Sequence, residues 1–226
     1  MEKAFNLKDF ASSEIAKNMY YYQKGKEIYT QNKKDISTVL TNNTSKDGIL
    51  QANNIQQALF PQVNTDIFIS HSSLDIGLAY TLAGYLYVEQ GKTSFIDSAF
   101  WGNMYELEYN INNKYSRIDD SLFSYEKHDF IASNTCMLLA TALSSMIKNT
   151  KYFIFLNTDI SINDNKATNS PWIFFEICQA NNFMPTTLLK KSMALDESKI
   201  HFEYTIDKYL FNFEELKTNE LFYSLI

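Results

Sequence analysis

Residues 170–180 read Ser-Pro-Trp-Ile-Phe-Phe-Glu-Ile-Cys-Gln-Ala, and the rest of the chain is organised around them. Ser170 is a favourable N-cap residue, and Pro171 suits the first position of a helix, so the sequence predicts a helix that begins here. Trp172 and Glu176 are four residues apart and therefore share one face of that helix. A neighbouring apolar stripe can pack on a sheet.

The segment upstream of this helix is typical of a strand followed by a loop. Residues 152–156 read Tyr-Phe-Ile-Phe-Leu, an aromatic and β-branched run, and residues 157–169 are polar. A strand, a loop and a helix in this order place side chains at the carboxyl edge of a parallel sheet, where open α/β folds bind ligands. Asn157, at the end of the predicted strand, is therefore a candidate substrate-binding residue.

Two more strands precede this unit, with a helix between them. Residues 66–70 read Asp-Ile-Phe-Ile-Ser, and residues 93–97 read Thr-Ser-Phe-Ile-Asp. A helical pattern over about residues 74–90 separates them, and further strands are predicted at residues 186–189 and 200–204. This alternation predicts an α/β fold with a doubly wound, mostly parallel sheet of about five strands.

The first 63 residues precede the first predicted strand, and their apolar spacing is helical over about residues 14–32 and 49–60. We therefore expect an N-terminal helical extension at residues 1–63 and the main domain at residues 64–226. A last helix is predicted at residues 213–225.

Several polar side chains fall where predicted strands end, and each has two interpretations. Ser70, His71 and Ser72 form the first strand-to-helix turn, which either binds phosphate or ribose or only caps the helix. Asp97 ends the next strand and either orients a ligand or stabilises the following loop. Trp101 lies in that loop and either stacks on a base or anchors the loop.

The composition excludes several classes of protein. A net charge of −6 and a pI of about 5.1 argue against a protein that binds nucleic-acid phosphates or anionic lipid. Cys136 and Cys178 lack partners at metal-binding spacing, so we expect buried thiols and no metal. We recognise no signal peptide, and we do not expect any uncharged run to supply the roughly 20 residues of a spanning helix, so we expect a cytoplasmic location and no membrane span.

Several motifs in one order resemble a TIR domain, in particular the stand-alone bacterial TIR proteins of the Thoeris anti-phage type. The resemblance begins near residue 47 and continues through the helix of Glu176. It implies a flavodoxin-like fold with five parallel strands. The motifs are residues 66–75 (Asp-Ile-Phe-Ile-Ser-His-Ser-Ser-Leu-Asp), residues 95–98 (Phe-Ile-Asp-Ser), Trp101-Gly102, and Ser170-Pro171-Trp172 with Glu176.

In this family the catalytic motif is a Ser, any residue, a Trp, and a Glu four residues further on, which Ser170, Trp172 and Glu176 match. The resemblance implies cleavage of NAD at the nicotinamide–ribose bond, with Glu176 as the catalytic residue and NAD as substrate rather than cofactor. For the Thoeris type it further implies a cyclic or otherwise modified ADP-ribose messenger that activates a separate effector protein. It also implies self-association of TIR domains and a phage-derived trigger.

One carboxylate is sufficient for this reaction because nicotinamide leaves without protonation while a cation develops on the ribose. Alternatively, Glu176 is a solvated helix residue and Trp172 a core residue. At the level of function, the alternatives are a TIR-fold interaction module without turnover and an enzyme similar to nucleoside deoxyribosyltransferases. The loop at residues 98–129 is longer than in receptor TIR domains, so we do not expect receptor-type docking. Water, a ribose hydroxyl or an adenine nitrogen could each capture the cation.

Overall fold

The computed structural model describes residues 1–29, 36–101, 104–119, 122–163, 166–184 and 202–225. The chain divides into two compact units. The first, which we call the sheet unit, comprises Met1–Thr30, Asn64–Ile96 and Met146–Ile226. The second, which we call the helical unit, comprises Gln31–Val63 and Asp97–Ser145.

The sheet unit contains a five-stranded parallel sheet with the strand order β3-β2-β4-β1-β7. Strands β5 and β6 form a separate antiparallel pair. The strand bounds are β1 (Lys3–Leu7), β2 (Ile67–Ser70), β3 (Ser94–Phe95), β4 (Tyr152–Leu156), β5 (Ala167–Thr168), β6 (Tyr204–Thr205) and β7 (Glu214–Leu216).

The central strands are buried on both faces. Strand β4 pairs with β1 on one side, where Lys3 is opposite Tyr152, and with β2 on the other, where Ile67 is opposite the same tyrosine. Every residue of β4 is buried, and successive side chains of a strand point to opposite faces. Both faces of the sheet are therefore covered here, as in parallel α/β folds. The predicted fold class, an α/β fold with a parallel sheet of about five strands, is confirmed.

The expectation that the first strand follows residue 63 is wrong. Strand β1 lies at Lys3–Leu7, inside the sheet, and Phe5 and Leu7 are buried. This segment pairs with both β4 and β7, so its burial comes from distant parts of the chain rather than from a local pattern. The prediction of one helix over residues 213–225 is also wrong in its first part, because Glu214–Leu216 form strand β7. Of the other predicted strands, residues 186–189 lie outside the described residues, as do residues 200 and 201, and of residues 202–204 only Tyr204 belongs to a strand, β6.

The strand order creates a crevice at one edge of the sheet. From β2 the chain moves outward to β3 and then returns past β2 to β4. The carboxyl ends of β2 and β4 therefore meet at a topological switch point, where open sheets bind ligands. Ser70 ends β2 and Asn157 follows β4, so both lie at this crevice.

Most of the chain outside the sheet is helical. Short 3-10 turns lie at Phe10–Ser12, Ser73–Asp75 and Thr218–Glu220. The α-helices of the sheet unit are α1 (Met19–Tyr29), α4 (Ile76–Gln90), α8 (Pro171–Phe183), α9 (Asp207–Leu210) and α10 (Leu221–Ser224). Those of the helical unit are α2 (Ile36–Asn42), α3 (Ala52–Leu59), α5 (Asp97–Phe100), α6 (Met104–Tyr115) and residues 125–145 of α7 (Tyr125–Asn149).

Helix α7 is long and apolar enough, by length and composition, to cross a membrane. The expectation that no uncharged run is long enough is wrong for this helix, because residues 130–147 carry no Asp, Glu, Lys or Arg. About two fifths of its most apolar window, 39%, is buried within the structure, and core helices of soluble proteins pass the same test.

Helices α1 and α4 of the sheet unit pack backbone against backbone at two glycines. A Cβ atom at Gly25 would lie 1.8 Å from the carbonyl oxygen of Tyr80, and one at Gly84 would lie 1.9 Å from that of Tyr21. Any side chain at either position would force the helices apart. Only glycine allows this approach, which joins α1 to the sheet unit.

We expect Gly84→Ala to lower the free energy of unfolding of the sheet unit by about 2–3 kcal/mol, because the added methyl group overlaps a backbone carbonyl that cannot rotate away. Gly77→Ala is the matched control in the same helix, since its Cβ would meet only the Tyr22 ring at 3.9 Å. It should be neutral or stabilising by up to about 1 kcal/mol. Urea unfolding followed by circular dichroism measures both, and equal stability of the two variants would contradict the packing described.

Candidate active site

The helix that carries Glu176 begins as the sequence predicts. The Ser170 side chain accepts a hydrogen bond from the Ile173 backbone N–H at 3.2 Å, and Pro171 occupies the first turn. Ile173 and Ile177 are buried and form the apolar stripe of α8. This packing fixes the direction in which the Glu176 side chain leaves the helix.

The carboxylate of Glu176 is buried against Ser70. The Ser70 hydroxyl at the end of β2 donates a hydrogen bond to Glu176 Oε2 at 2.6 Å. Glu176 is 3% exposed and Ser70 is 1% exposed. Removing a carboxyl group from water costs free energy unless the group forms hydrogen bonds. Hydrogen bonds to an ionised group are shorter and stronger than those between neutral groups. Ser70 therefore supplies a donor to a buried carboxyl group at the carboxyl edge of the sheet.

The two residues after Ser70 differ in their surroundings. His71 is buried and Ser72 is half-buried. Ser72 precedes the 3-10 turn Ser73–Asp75, but its side chain makes no capping hydrogen bond. The interpretation that the Ser72 side chain caps the helix is therefore wrong. Ser70, His71 and Ser72 all lie in the sheet unit, as Glu176 does.

A pair of asparagines lies at the same edge of the sheet. Asn157 Nδ2 donates to Asn6 Oδ1 at 2.9 Å, and the Asn157 backbone N–H donates to the carbonyl oxygen of Leu7. Asn157 thus ends β4 where the sequence predicts and ties that strand to β1. Asn6 was missed because its own strand was not recognised.

The sequence analysis also missed a second buried carboxylate. Asp75 is 4% exposed, and its Oδ2 atom accepts a hydrogen bond from Thr158 Oγ1 at 2.6 Å. The Thr158 backbone N–H in turn donates to Ser161 Oγ at 2.8 Å. These contacts fasten the loop after β4 to the turn after β2. Asp75 belongs to the family motif at residues 66–75, but only the folded chain shows that Thr158 is its partner.

Aromatic side chains line the exposed part of helix α8. Trp172 is half-buried, and its ring meets the Phe175 ring edge-on, with centroids 6.4 Å apart. Phe174 stacks on Tyr204 of β6 with centroids 4.7 Å apart. Trp172 is therefore neither a full core residue nor fully solvated, and it lies one turn before Glu176.

Asp97 and Trp101 belong to the helical unit, whereas the other predicted site residues belong to the sheet unit. Asp97 begins α5, and its carbonyl oxygen accepts from the Trp101 backbone N–H at 2.8 Å. The Trp101 indole N–H donates to the carbonyl oxygen of Pro61 at 3.1 Å, and its ring meets Phe60 edge-on. The interpretation of Trp101 as an anchor within its own unit fits these contacts. Gly102 lies outside the described residues.

Neither cysteine is set up as a nucleophile. Burial raises the pKa of the half-buried Cys178 thiol, which a hydrogen bond with Tyr209 and the charge of Lys208 only partly offset. Cys136 is exposed, so its predicted burial is wrong, yet desolvation and nearby Glu108 also raise its pKa. Thiols with raised pKa values react slowly. Within the described ranges no three His, Cys, Asp or Glu side chains cluster as a metal site.

Comparison with known proteins identified no relative. No protein-family model, no curated protein and no solved structure matched the chain.

We expect Ser70→Ala to lower the free energy of unfolding by about 1–3 kcal/mol, because Glu176 loses a buried hydrogen-bond donor. In a Glu176→Gln background the same substitution should cost at least about 1 kcal/mol less, since no charge is then left short of a donor. Ser72→Ala is the control and should stay within about 0.5 kcal/mol of the parent. Denaturant unfolding of all variants tests this, and additive effects of the Ser70 and Glu176 changes would refute the coupling.

Proposed function

We propose that this protein is a TIR-type enzyme that cleaves NAD at the nicotinamide–ribose bond, with Glu176 as the catalytic residue. The observation that carries the proposal is the Glu176 carboxylate held by Ser70 at the carboxyl edge of the sheet. The helix around it has the Ser170 cap and Trp172 one turn earlier, as in the motif that the chain resembles.

The chemistry requires a fixed negative charge. As the bond between the ribose carbon and the nicotinamide nitrogen breaks, its electron pair leaves with nicotinamide, and positive charge develops on the ribose. A carboxylate in a poorly solvated site stabilises that charge more strongly than one in water. Ser70 keeps the carboxylate in one orientation, so little reorganisation is needed during the reaction.

The product and its use are further parts of the proposal. We propose a cyclic or otherwise modified ADP-ribose that activates a separate effector protein in anti-phage defence within the cytoplasm. The resemblance to Thoeris TIR proteins supports this role. Cyclisation requires that water be excluded while the cation exists. Trp172, half-buried on the helix of Glu176, is placed to contribute to that exclusion.

Access to the carboxylate must change before a ribose can reach it, because Glu176 is 3% exposed. The groups that cover it must move. We propose that self-association, promoted by a phage-derived trigger, produces this change, so the lone chain is a weak enzyme.

We expect Glu176→Gln to remain folded while NAD turnover falls by about two orders of magnitude or more, because the charge that stabilises the cation is lost. Chromatography with mass spectrometry of released nicotinamide and ADP-ribose products measures this and separates cyclic from linear product. Glu215→Gln, an exposed residue of β7 paired with Lys8, is the control and should keep full turnover. A folded Glu176→Gln protein with undiminished turnover would show that the assignment is wrong, and release of base from deoxynucleosides alone would favour a deoxyribosyltransferase.

We also expect NAD turnover per chain to rise with protein concentration, since self-association is proposed to expose Glu176. Turnover can be measured over a wide dilution range, with the oligomer followed in parallel by light scattering, with and without phage lysate. The Glu176→Gln protein at each concentration is the blank. Constant specific activity throughout, with a chain that stays monomeric, would argue against activation by association.

A further inference from the structure

The helical unit contains a pocket of about 490 Å³. Its apolar lining includes Ile55 from α3, Ile111 from α6, and Ile131 and Leu138 from α7. Pockets that hold small molecules in proteins usually measure about 300–1,000 Å³ and are mostly apolar. The size and the lining of this pocket are therefore those of a ligand site rather than of a packing defect.

The walls of the pocket are fixed by contacts within the helical unit. Ile55, Ile111 and Ile131 come from three different helices, and each is at least nine-tenths buried. Gln56 Nε2 donates to the carbonyl oxygen of Leu138 at 2.8 Å, which ties α3 to α7. The pocket is thus formed before any ligand enters, which reduces the ordering cost of binding.

One end of the pocket carries positive charge. Lys127 lines it, is exposed, and makes no ion pair within the part of the chain that the structure describes. No acidic residue lies among the lining residues. Tyr115 also lines the pocket. Burial raises the pKa of the Tyr115 hydroxyl. Hydrogen bonds with Thr44 and Lys114 and the charge of Lys114 outweigh this effect, so the pKa lies below its ordinary value.

Large apolar side chains stand exposed at the pocket. Phe130 is 71% exposed and Ile49 is 65% exposed, and both belong to the lining. Gly48 beside them has a φ of +80°, which the turn between the bridged residues Thr44 and Leu50 requires. A ligand with an apolar body would cover these side chains and remove them from water.

We propose that this pocket binds a small amphipathic organic anion, with its carboxylate at Lys127 and its apolar body on the isoleucines. The site shares no residue with the candidate active site, so the inference is independent of the proposed NAD cleavage. A single ammonium group and an apolar wall match a molecule with one anionic head, and one cation among the lining residues does not balance the several charges of a polyphosphate.

Dodecanoate below its micelle concentration is a suitable probe, and 1-dodecanol is its uncharged match. We expect dodecanoate to bind the full chain saturably in calorimetry. In methyl NMR spectra it should shift the signals of Ile55, Ile111 and Ile131, while Ile154 and Ile177 of the sheet unit stay unchanged. Dodecanol should shift the same methyl signals but bind about tenfold more weakly than dodecanoate, since it lacks the charge.

Three variants make the test specific. Lys127→Met should weaken dodecanoate about tenfold and leave dodecanol within about threefold, because only the charged contact is removed. Lys148→Met, on the same helix but outside the lining, should bind both as the parent does. Ala52→Phe, which adds a ring at the pocket wall, should abolish binding of both probes while the circular dichroism spectrum is kept.

Several results would overturn the inference. The site would be rejected if dodecanoate at millimolar concentration produced no saturable shift at the three isoleucine methyl groups. The anionic class would be rejected if dodecanol bound as tightly as dodecanoate, or if the two lysine variants weakened dodecanoate equally.

Discussion

The hydrogen bond from Ser70 to Glu176 is the constraint on which the rest of the sheet edge depends. It joins residues 106 positions apart and gives a buried carboxyl group a hydrogen-bond donor away from water. Similar pairs follow along the same edge, since Asp75 accepts from Thr158 and Asn6 accepts from Asn157. Each pair links two different elements, so the polar layer fixes the loops above an apolar sheet, and a change at one position is felt at its partner.

The parts of the fold that the sequence predicted are those with a local cause. Helix α8 could be predicted because a capping serine, a proline and an apolar stripe lie within a few residues of one another. Strand β4 could be predicted because residues 152–156 form a continuous aromatic and β-branched run, which is typical of a strand buried on both faces. Strand β1 could not, because Lys3–Leu7 becomes buried only through pairing with β4 and β7, which are distant in sequence. A three-residue strand such as β7 is too short for any periodicity to show.

The candidate site shows the same division. The order of motifs along the chain correctly placed Ser70 and Asn157 at strand ends, because the carboxyl ends of parallel strands share one edge. It could not show that Asp97 and Trp101 belong to the other compact unit, where Trp101 is held by the carbonyl oxygen of Pro61. Partners such as Asn6 and Thr158 are separated from their counterparts by 151 and 83 residues, so no spacing rule could find them.

The two units present opposite chemistry to a ligand. In the sheet unit the buried Glu176 carboxyl group is proposed to face a ribose on which positive charge develops. In the helical unit Lys127 favours an anion, and the apolar walls exclude a strongly hydrated one. NAD also carries a charged pyrophosphate, so the apolar lining of the helical-unit pocket, rather than charge alone, distinguishes the two sites. Since the two sites share no residue, loss of one activity in a variant leaves the other as an internal measure that the chain is still folded.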